Sequence, residues 1–356
     1  MFVALRDIRF AKGRFALMGA VVTLITTLVV FLYGLTGGLA SAASSTVADL
    51  PADQIVFGAP AGATPTVSFS SSTVSSDQAA AFAAAPGVES VQPLGISMTR
   101  LTASDTAASV SVVGAPAGLL PPLESGTAPT DGQIAVGADT AAEYHLTVGE
   151  QVNVGPRTVT VSGLTAERSY SHAPTVWTTV ATWEQVSGQT QPTALALTTS
   201  DADLGALDAA QGTETVSLGD SLAGINGYSA EQGSLQMIQG FLFAVSALVV
   251  GAFFTVWTVQ RKPDIAVLKA VGASSGYLVR DALAQAAAVL LGGALLGGAI
   301  GGAGGLLAAA TVPFDVSLAS VGVPVAVMVL LGLLGAALAV RRITSVDPLA
   351  ALGANR

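Results

Sequence analysis

The chain has 356 residues, of which 51% are hydrophobic and only 10% charged, against about a quarter charged in ordinary soluble proteins. That imbalance excludes a soluble globular protein and points to lipid as one of its solvents. A net charge of −9 argues against a nucleic-acid partner, and the absence of cysteine excludes disulfides and thiolate metal sites.

Residues 1–14 place Phe2, Leu5, Ile8 and Phe10 beside Arg6, Arg9, Lys12 and Arg14. The basic side chains can reach lipid headgroups, which predicts a cytoplasmic amphipathic helix lying in the membrane interface. Residues 15–44 form the first of four apolar segments, followed by 231–259, 281–311 and 321–341. Each is near or above the roughly 20 residues a helix needs to cross a bilayer. A basic start before an apolar run is also the layout of a secretion signal, but this run exceeds the roughly 7–15 residues of a signal core, so a membrane helix is expected.

Of the 14 basic residues, all but Arg100, Arg157 and Arg168 lie at Arg6 to Arg14, Arg261 to Arg280 or Arg341 to Arg356. Lys and Arg beside membrane helices stay on the cytoplasmic side. Both termini, the loop 260–280 and the tail 342–356 are therefore expected in the cytoplasm, and 45–230 and the loop 312–320 outside. In the exported region the sequence turns strand-like from Val56, then loop-like over Gly58 to Ser76. Alternating or β-rich runs follow at Val88 to Met98, Ala108 to Val113, Gln133 to Val136, Gln151 to Val154 and Thr158 to Val161, with a short helix over Asp139 to His145. The fold class is thus a membrane α-helical protein, four transmembrane helices with an α+β extracellular domain between the first and second.

No G-x-x-x-x-G-K-[ST] phosphate loop occurs, so ATP is not expected to bind this chain. With two histidines, no H-E-x-x-H and no nucleophile elbow, no catalytic or metal site is visible. Gly293, Gly297, Gly301 and Gly305 recur every fourth residue in the third apolar segment, and Gly34 with Gly38 in the first. Such small faces let helices approach closely.

The cytoplasmic loop reads Gln260-Arg261-Lys262-Pro263-Asp264-Ile265-Ala266-Val267-Leu268-Lys269-Ala270-Val271-Gly272-Ala273-Ser274. Pro263 suits a helix start. Ile265, Leu268 and Val271 form an apolar stripe with Lys269 on another face, and Gly272 can end the helix. A short amphipathic helix of this kind can dock in a groove of a cytoplasmic partner, or simply lie on headgroups.

This segment resembles the coupling-helix signature of the FtsX-like and MacB-like ABC transporter permeases. Three further regions agree in order: Ala4-Leu5-Arg6-Asp7-Ile8; Ile134-Ala135-Val136-Gly137 with Leu146-Thr147-Val148-Gly149-Glu150; and Arg341-Arg342-Ile343-Thr344-Ser345-Val346-Asp347-Pro348-Leu349-Ala350-Ala351-Leu352. The resemblance implies a homodimer bound to two copies of an ABC ATPase that holds ATP and Mg. The helices of one subunit would meet those of the other, and Asp264, Ile265, Leu268, Lys269, Val271 and Gly272 would form the coupling element.

Within that family the layout is most similar to the haem-exporting permeases of Gram-positive bacteria. That resemblance implies haem as transported substrate, with no cofactor resident in this chain, taken between the outer ends of the first two membrane helices. The residues there are Phe31 and Tyr33 on the first, and Tyr228, Glu231, Gln232 and Met237 at the start of the second. Glu231 can ligate iron, pair with Arg or Lys, or stay solvated. Met237 can be an axial ligand or packing, and Tyr33 a ligand or an interfacial aromatic. His145 suits a packing or surface role, while His172 sits in a loop-like Ser-Tyr-Ser-His run. Other cargoes (a peptide, lipid or drug), regulation of an extracellular hydrolase, and a bare membrane anchor are the alternatives.

Overall fold

The computed structural model describes residues 12–60, 62–103, 106–261, 267–269 and 271–344. The expected interfacial helix over residues 1–14 falls almost wholly outside them. The chain divides into two compact units, Met1–Gly38 with Ser234–Arg356, and Leu39–Gly233.

Four long apolar helices define the membrane unit: Lys12–Ala48, Tyr228–Gln260, Ser275–Ala308 and Leu318–Thr344. Each is long and apolar enough to span a bilayer. The first has 37 residues, about 55 Å at 1.5 Å per residue. It thus outruns a hydrocarbon core of about 30 Å, and its last residues, from Leu39 on, belong to the other unit.

Glycine positions set the bundle's packing. A Cβ on Gly293 or Gly301 would stand 2.9 Å from Val22 or Val30 of the first helix, and one on Gly297 only 2.5 Å from the Thr23 carbonyl oxygen. There the Thr27 hydroxyl donates to the Gly297 carbonyl at 3.1 Å. Gly305, Gly34 and Gly38 seat Pro313 and Phe314 of the loop before the fourth helix. Phe31 faces Phe314 with ring centroids 5.2 Å apart, and the Asp315 amide donates to the Gly34 carbonyl at 2.9 Å. The close approach expected of these glycines is thus met within the chain: their small faces are filled by its own helix and loop.

The fourth helix packs Gly332 on Leu290 of the third and Gly335 on Gly251 of the second. The second meets the first through Trp257 and Phe15, edge to face at 6.0 Å. The third helix begins at Ser275, so Asp281 lies within it rather than at its border. Polar residues in its first turns hid that start.

The other unit is built on a mixed sheet of eleven strands: β1 Gln54–Phe57, β2 Val88–Ala103, β3 Thr106–Gly114, β4 Leu123–Gly126, β5 Gln133–Gly137, β6 Gln151–Val154, β7 Arg157–Thr165, β8 Ser169–Tyr170, β9 Ala173–Thr178, β10 Ala194–Thr199 and β11 Glu214–Ser217. Its main path runs β11-β1-β10-β2-β3-β9-β5-β7-β4. Pairs β3–β9 and β5–β7 are parallel, and the remaining pairs antiparallel. Helix Val180–Ser187 lays Trp183, fully buried, on Gly95 and Gly114, and the indole N–H donates to Ser97 Oγ at 3.0 Å.

The family-like motif Ile134 to Gly137 is β5. Gly137 leaves room for the Glu167 carboxylate, which accepts from the Thr140 amide at 3.1 Å and its hydroxyl at 2.8 Å. Burial nevertheless outweighs those hydrogen bonds and holds the Glu167 carboxyl above its ordinary value. Gly149 takes φ +95° in the turn before β6, which a side chain would oppose.

Candidate functional site

The sequence Ser169-Tyr170-Ser171-His172-Ala173-Pro174 folds as a two-residue hairpin, with Tyr170 paired to Ala173. Ser171 and His172 have φ of 50° and 63°, the left-handed pair of a type I′ turn that normally selects Asn-Gly. Two successive non-glycine residues there are strained. The strain is offset by contacts to the outer end of the first membrane helix: the Ser171 amide donates to the Ala43 carbonyl at 2.8 Å and the His172 amide to the Ala42 carbonyl at 3.0 Å.

Neighbouring contacts thicken this clamp. The Ser169 amide donates to Ser45 Oγ at 2.9 Å, Thr46 and Thr175 hydroxyls meet at 2.5 Å, and Arg168 pairs with Asp49 at 3.1 Å. Behind the turn, Tyr170 is buried edge-on to Phe69. Burial pushes its phenol up to about 12.

The same turn reaches the second membrane helix. His172 Nε2 lies 2.9 Å from a Glu231 carboxylate oxygen in that helix's first turn. Both side chains are partly exposed, 44% and 32%. Glu231 thus has a histidine partner, where iron, an Arg or Lys partner, or water were the alternatives. The sequence carried no strong signal for it, because His172 is 59 positions away and its turn lacks the usual glycine.

The other expected ligand-side residues divide. Tyr228 and Gln232 flank Glu231, and Tyr228 packs partly buried on the Val47, Leu50 and Ile225 cluster. Phe31, Tyr33 and Met237 belong to the membrane unit. There Phe31 is engaged by Phe314, the Tyr33 carbonyl accepts from the Thr36 hydroxyl at 2.9 Å, and Met237 is 65% exposed. Gln239 donates to Thr36, tying the first two helices. Among the described residues no group of three or more His, Asp or Glu could hold a metal ion. His145, at φ 55°, ends the short helix Ala138–Glu143 and its turn.

In the loop between the second and third helices, Asp264 and Ile265 lie outside the described residues. The end of the expected helix is resolved. Gly272 takes φ 102°, its amide donates to the Lys269 carbonyl at 3.0 Å, and the Ala273 amide to the Leu268 carbonyl at 2.9 Å. This is the paired closure of a Schellman motif. It leaves Leu268 39% and Val271 84% exposed.

Four apolar helices, with a mixed-sheet domain between the first two, define a membrane protein that carries a large polar domain on two of its helices. The MacB-like periplasmic core domain family matches residues 15–214 and the FtsX-like permease C-terminal family residues 237–348. The chain belongs to the MacB/FtsX-type ABC transporter permeases, and membership implies an ABC ATPase as partner. An uncharacterized ABC transporter permease of Mycobacterium tuberculosis is 27% identical, covering 99% of each chain. A protein named as a hemin transport system permease, HrtB, is 24% identical in Staphylococcus epidermidis and 25% in Staphylococcus haemolyticus, covering 99–100% of each chain. Among solved structures, the extracellular domain of the noncanonic ABC-type transporter YknZ matches with a TM-score of 0.37 and 12% identity, covering 46% of this chain and 98% of that one. The periplasmic region of MacB from Actinobacillus actinomycetemcomitans matches with a TM-score of 0.37 over 48% and 90%.

Proposed function

We propose that this permease works as a homodimer with two copies of its ABC ATPase, both termini in the cytoplasm, and exports haem from the membrane to the outside. The observation that carries the cargo is the pair of His172 and Glu231, 2.9 Å apart and partly exposed at the start of the second membrane helix. Imidazole is a common ligand of haem iron, and an ionisable pair beside a membrane border marks a functional site by default. Full-length similarity to permeases named for hemin transport supports the same reading. Tyr228 and Gln232, beside Glu231 on the same helix turn, would supply surrounding contacts. Haem is substrate here, while ATP and Mg belong to the ATPase.

Leu268 and Val271, left exposed by the Gly272 closure, would seat in the ATPase together with Asp264, Ile265 and Lys269. ATP-driven movement would then pass along the membrane helices to the clamp at Ser171 and His172. The clamp holds the outer end of the first helix and the first turn of the second, which makes it the place where helix motion reaches the exported domain.

The test is titration of the purified permease with hemin. Saturable binding with a shifted Soret band is expected, and Glu231→Gln and His172→Ala should each weaken it about tenfold, roughly 1.4 kcal/mol. No saturable binding by the unaltered protein overturns haem as cargo.

A further inference from the structure

A buried polar chain crosses between the second and third helices next to the loop 262–274. The Arg261 guanidinium donates to Gln285 Oε1 at 2.6 Å, and Gln285 Nε2 donates to Asp281 Oδ2 at 2.9 Å. Gln285 is completely buried. Asp281 Oδ1 is buried too, with no hydrogen-bond partner among the described residues. On the other side, the Arg261 guanidinium stacks 5.1 Å from the Trp257 ring centre, and Trp257 is wedged against Phe254 and against Phe15 of the first helix.

A fully buried glutamine in a membrane helix is costly unless its amide is satisfied on both sides. Here one side is met by the Arg261 guanidinium and the other by the Asp281 carboxyl, so both ends of the amide are satisfied, the Arg261 bond being charge-assisted. Hydrophobic packing alone would not need these residues. Their effect is geometric: Arg261 is the first residue after the second helix and Asp281 sits in the second turn of the third. The two ends of the loop are thereby held to each other and, through Trp257, to the first helix.

We infer that Arg261, Gln285 and Asp281 are positioning residues for ATP-driven transport. They lock the loop-proximal ends of the second and third helices into one body, so that a push on the loop moves both helices together instead of flexing the loop between them. The inference rests on the proposed docking of that loop on the ATPase, but the tie itself is a property of the permease and is testable without it.

Two measurements separate the two ideas. The chain has no cysteine, so Val259→Cys and Tyr277→Cys, both at half-exposed positions, can carry spin labels on the permease alone in nanodiscs. The distance distribution should be narrow with Arg261 present and broad in Arg261→Ala. Exchanging the partners, Arg261→Gln with Gln285→Arg, should restore the narrow distribution, because Arg at 285 can bond both Asp281 and Gln at 261. Unchanged width in Arg261→Ala, or no recovery in the exchanged pair, overturns the tie.

In the second measurement the permease is reconstituted with its ATPase. Arg261→Ala should still co-purify with the ATPase yet lose about tenfold in ATP hydrolysis by the complex, a coupling of ordinary allosteric size, and the exchanged pair should regain it. A narrow-to-broad change with no loss of hydrolysis would refute the transport role while leaving the tie. A wild-type permease that does not assemble with the ATPase would refute the docking reading instead.

Discussion

Replacing Gly297 by alanine tests the bundle at its tightest crossing. The added methyl would lie 2.5 Å from the Thr23 carbonyl oxygen and 2.8 Å from Thr26 Cβ. Ordinary contact begins at 3.4 Å, so the first and third helices must separate by about 0.9 Å locally. The obstacle is backbone on a rigid helix and cannot swing aside. Overpacking of this kind costs about 1–3 kcal/mol. Separation also stretches the Thr27–Gly297 hydrogen bond, worth about 0.6 kcal/mol between membrane helices. Alanine's better helix propensity returns about 0.5–1 kcal/mol, leaving a net loss of about 0.6–3 kcal/mol.

Gly292, five residues earlier on the same helix, has open space where its Cβ would be. Gly292→Ala should therefore be neutral or stabilising by up to about 1 kcal/mol. Unfolding in mixed detergent and dodecyl sulfate micelles, followed by the fluorescence of Trp257 among the three tryptophans, would rank the two variants. Equal shifts for both would refute the packing argument, since propensity alone cannot tell the two glycines apart.

Gly137→Ala should displace the Glu167 carboxylate from Thr140 and lower the thermal stability of the exported domain by about 1–3 kcal/mol, read as the loss of β-sheet circular dichroism in the whole permease. Ser171→Gly should relieve a left-handed φ worth about 1–2 kcal/mol, less about 0.5–1 kcal/mol for glycine's chain entropy, and so raise that melting point; an unchanged or lower melting point would show that the turn is not strained. The Tyr170 phenol is raised to about 12 from 10.0, so the fold favours its neutral form. Its contribution is fully present below pH 10 and is lost as pH rises through about 12. Absorbance at alkaline pH should show a tyrosine titrating near pH 12, and that step should vanish in Tyr170→Phe.

The four membrane helices are legible from apolar length because lipid leaves no other arrangement for such segments. Their ends are less so. Asp281 looked like a border, yet it accepts from Gln285 inside the third helix. In the exported domain β5, β6 and β7 could be read from alternation, but β9, β10 and the helix at Val180–Ser187 could not. Their Thr- and Ala-rich sequence acquires meaning only from Trp183 and the glycines it covers. Glu231 was legible as an ionisable group at a membrane border. Its partner was not, since the turn that brings His172 to it is held by the carbonyls of Ala42 and Ala43 rather than by a glycine signal.

The glycine stripes carry the last step. Periodicity at every fourth residue says that something approaches closely without saying what, and here the chain itself is that neighbour. The proposed dimer would then use faces that remain open. On the second helix these are Met237, Phe241, Val245 and Leu248, and on the first Leu17, Leu24 and Leu28, all more than half exposed. A groove of about 910 Å³ between the first and third helices, lined by Gly19, Thr23, Leu24, Gly293 and Leu296, is open as well. The two stripes offer large side chains, so a dimer built on them would pack knobs into holes near the shallow left-handed crossing common in membrane bundles. The close approach that small-residue faces permit is already taken up inside the protomer. Substitutions that separate subunits should therefore fall on Phe241 and Leu248 rather than on the glycines, whose replacement acts on the fold of each subunit first.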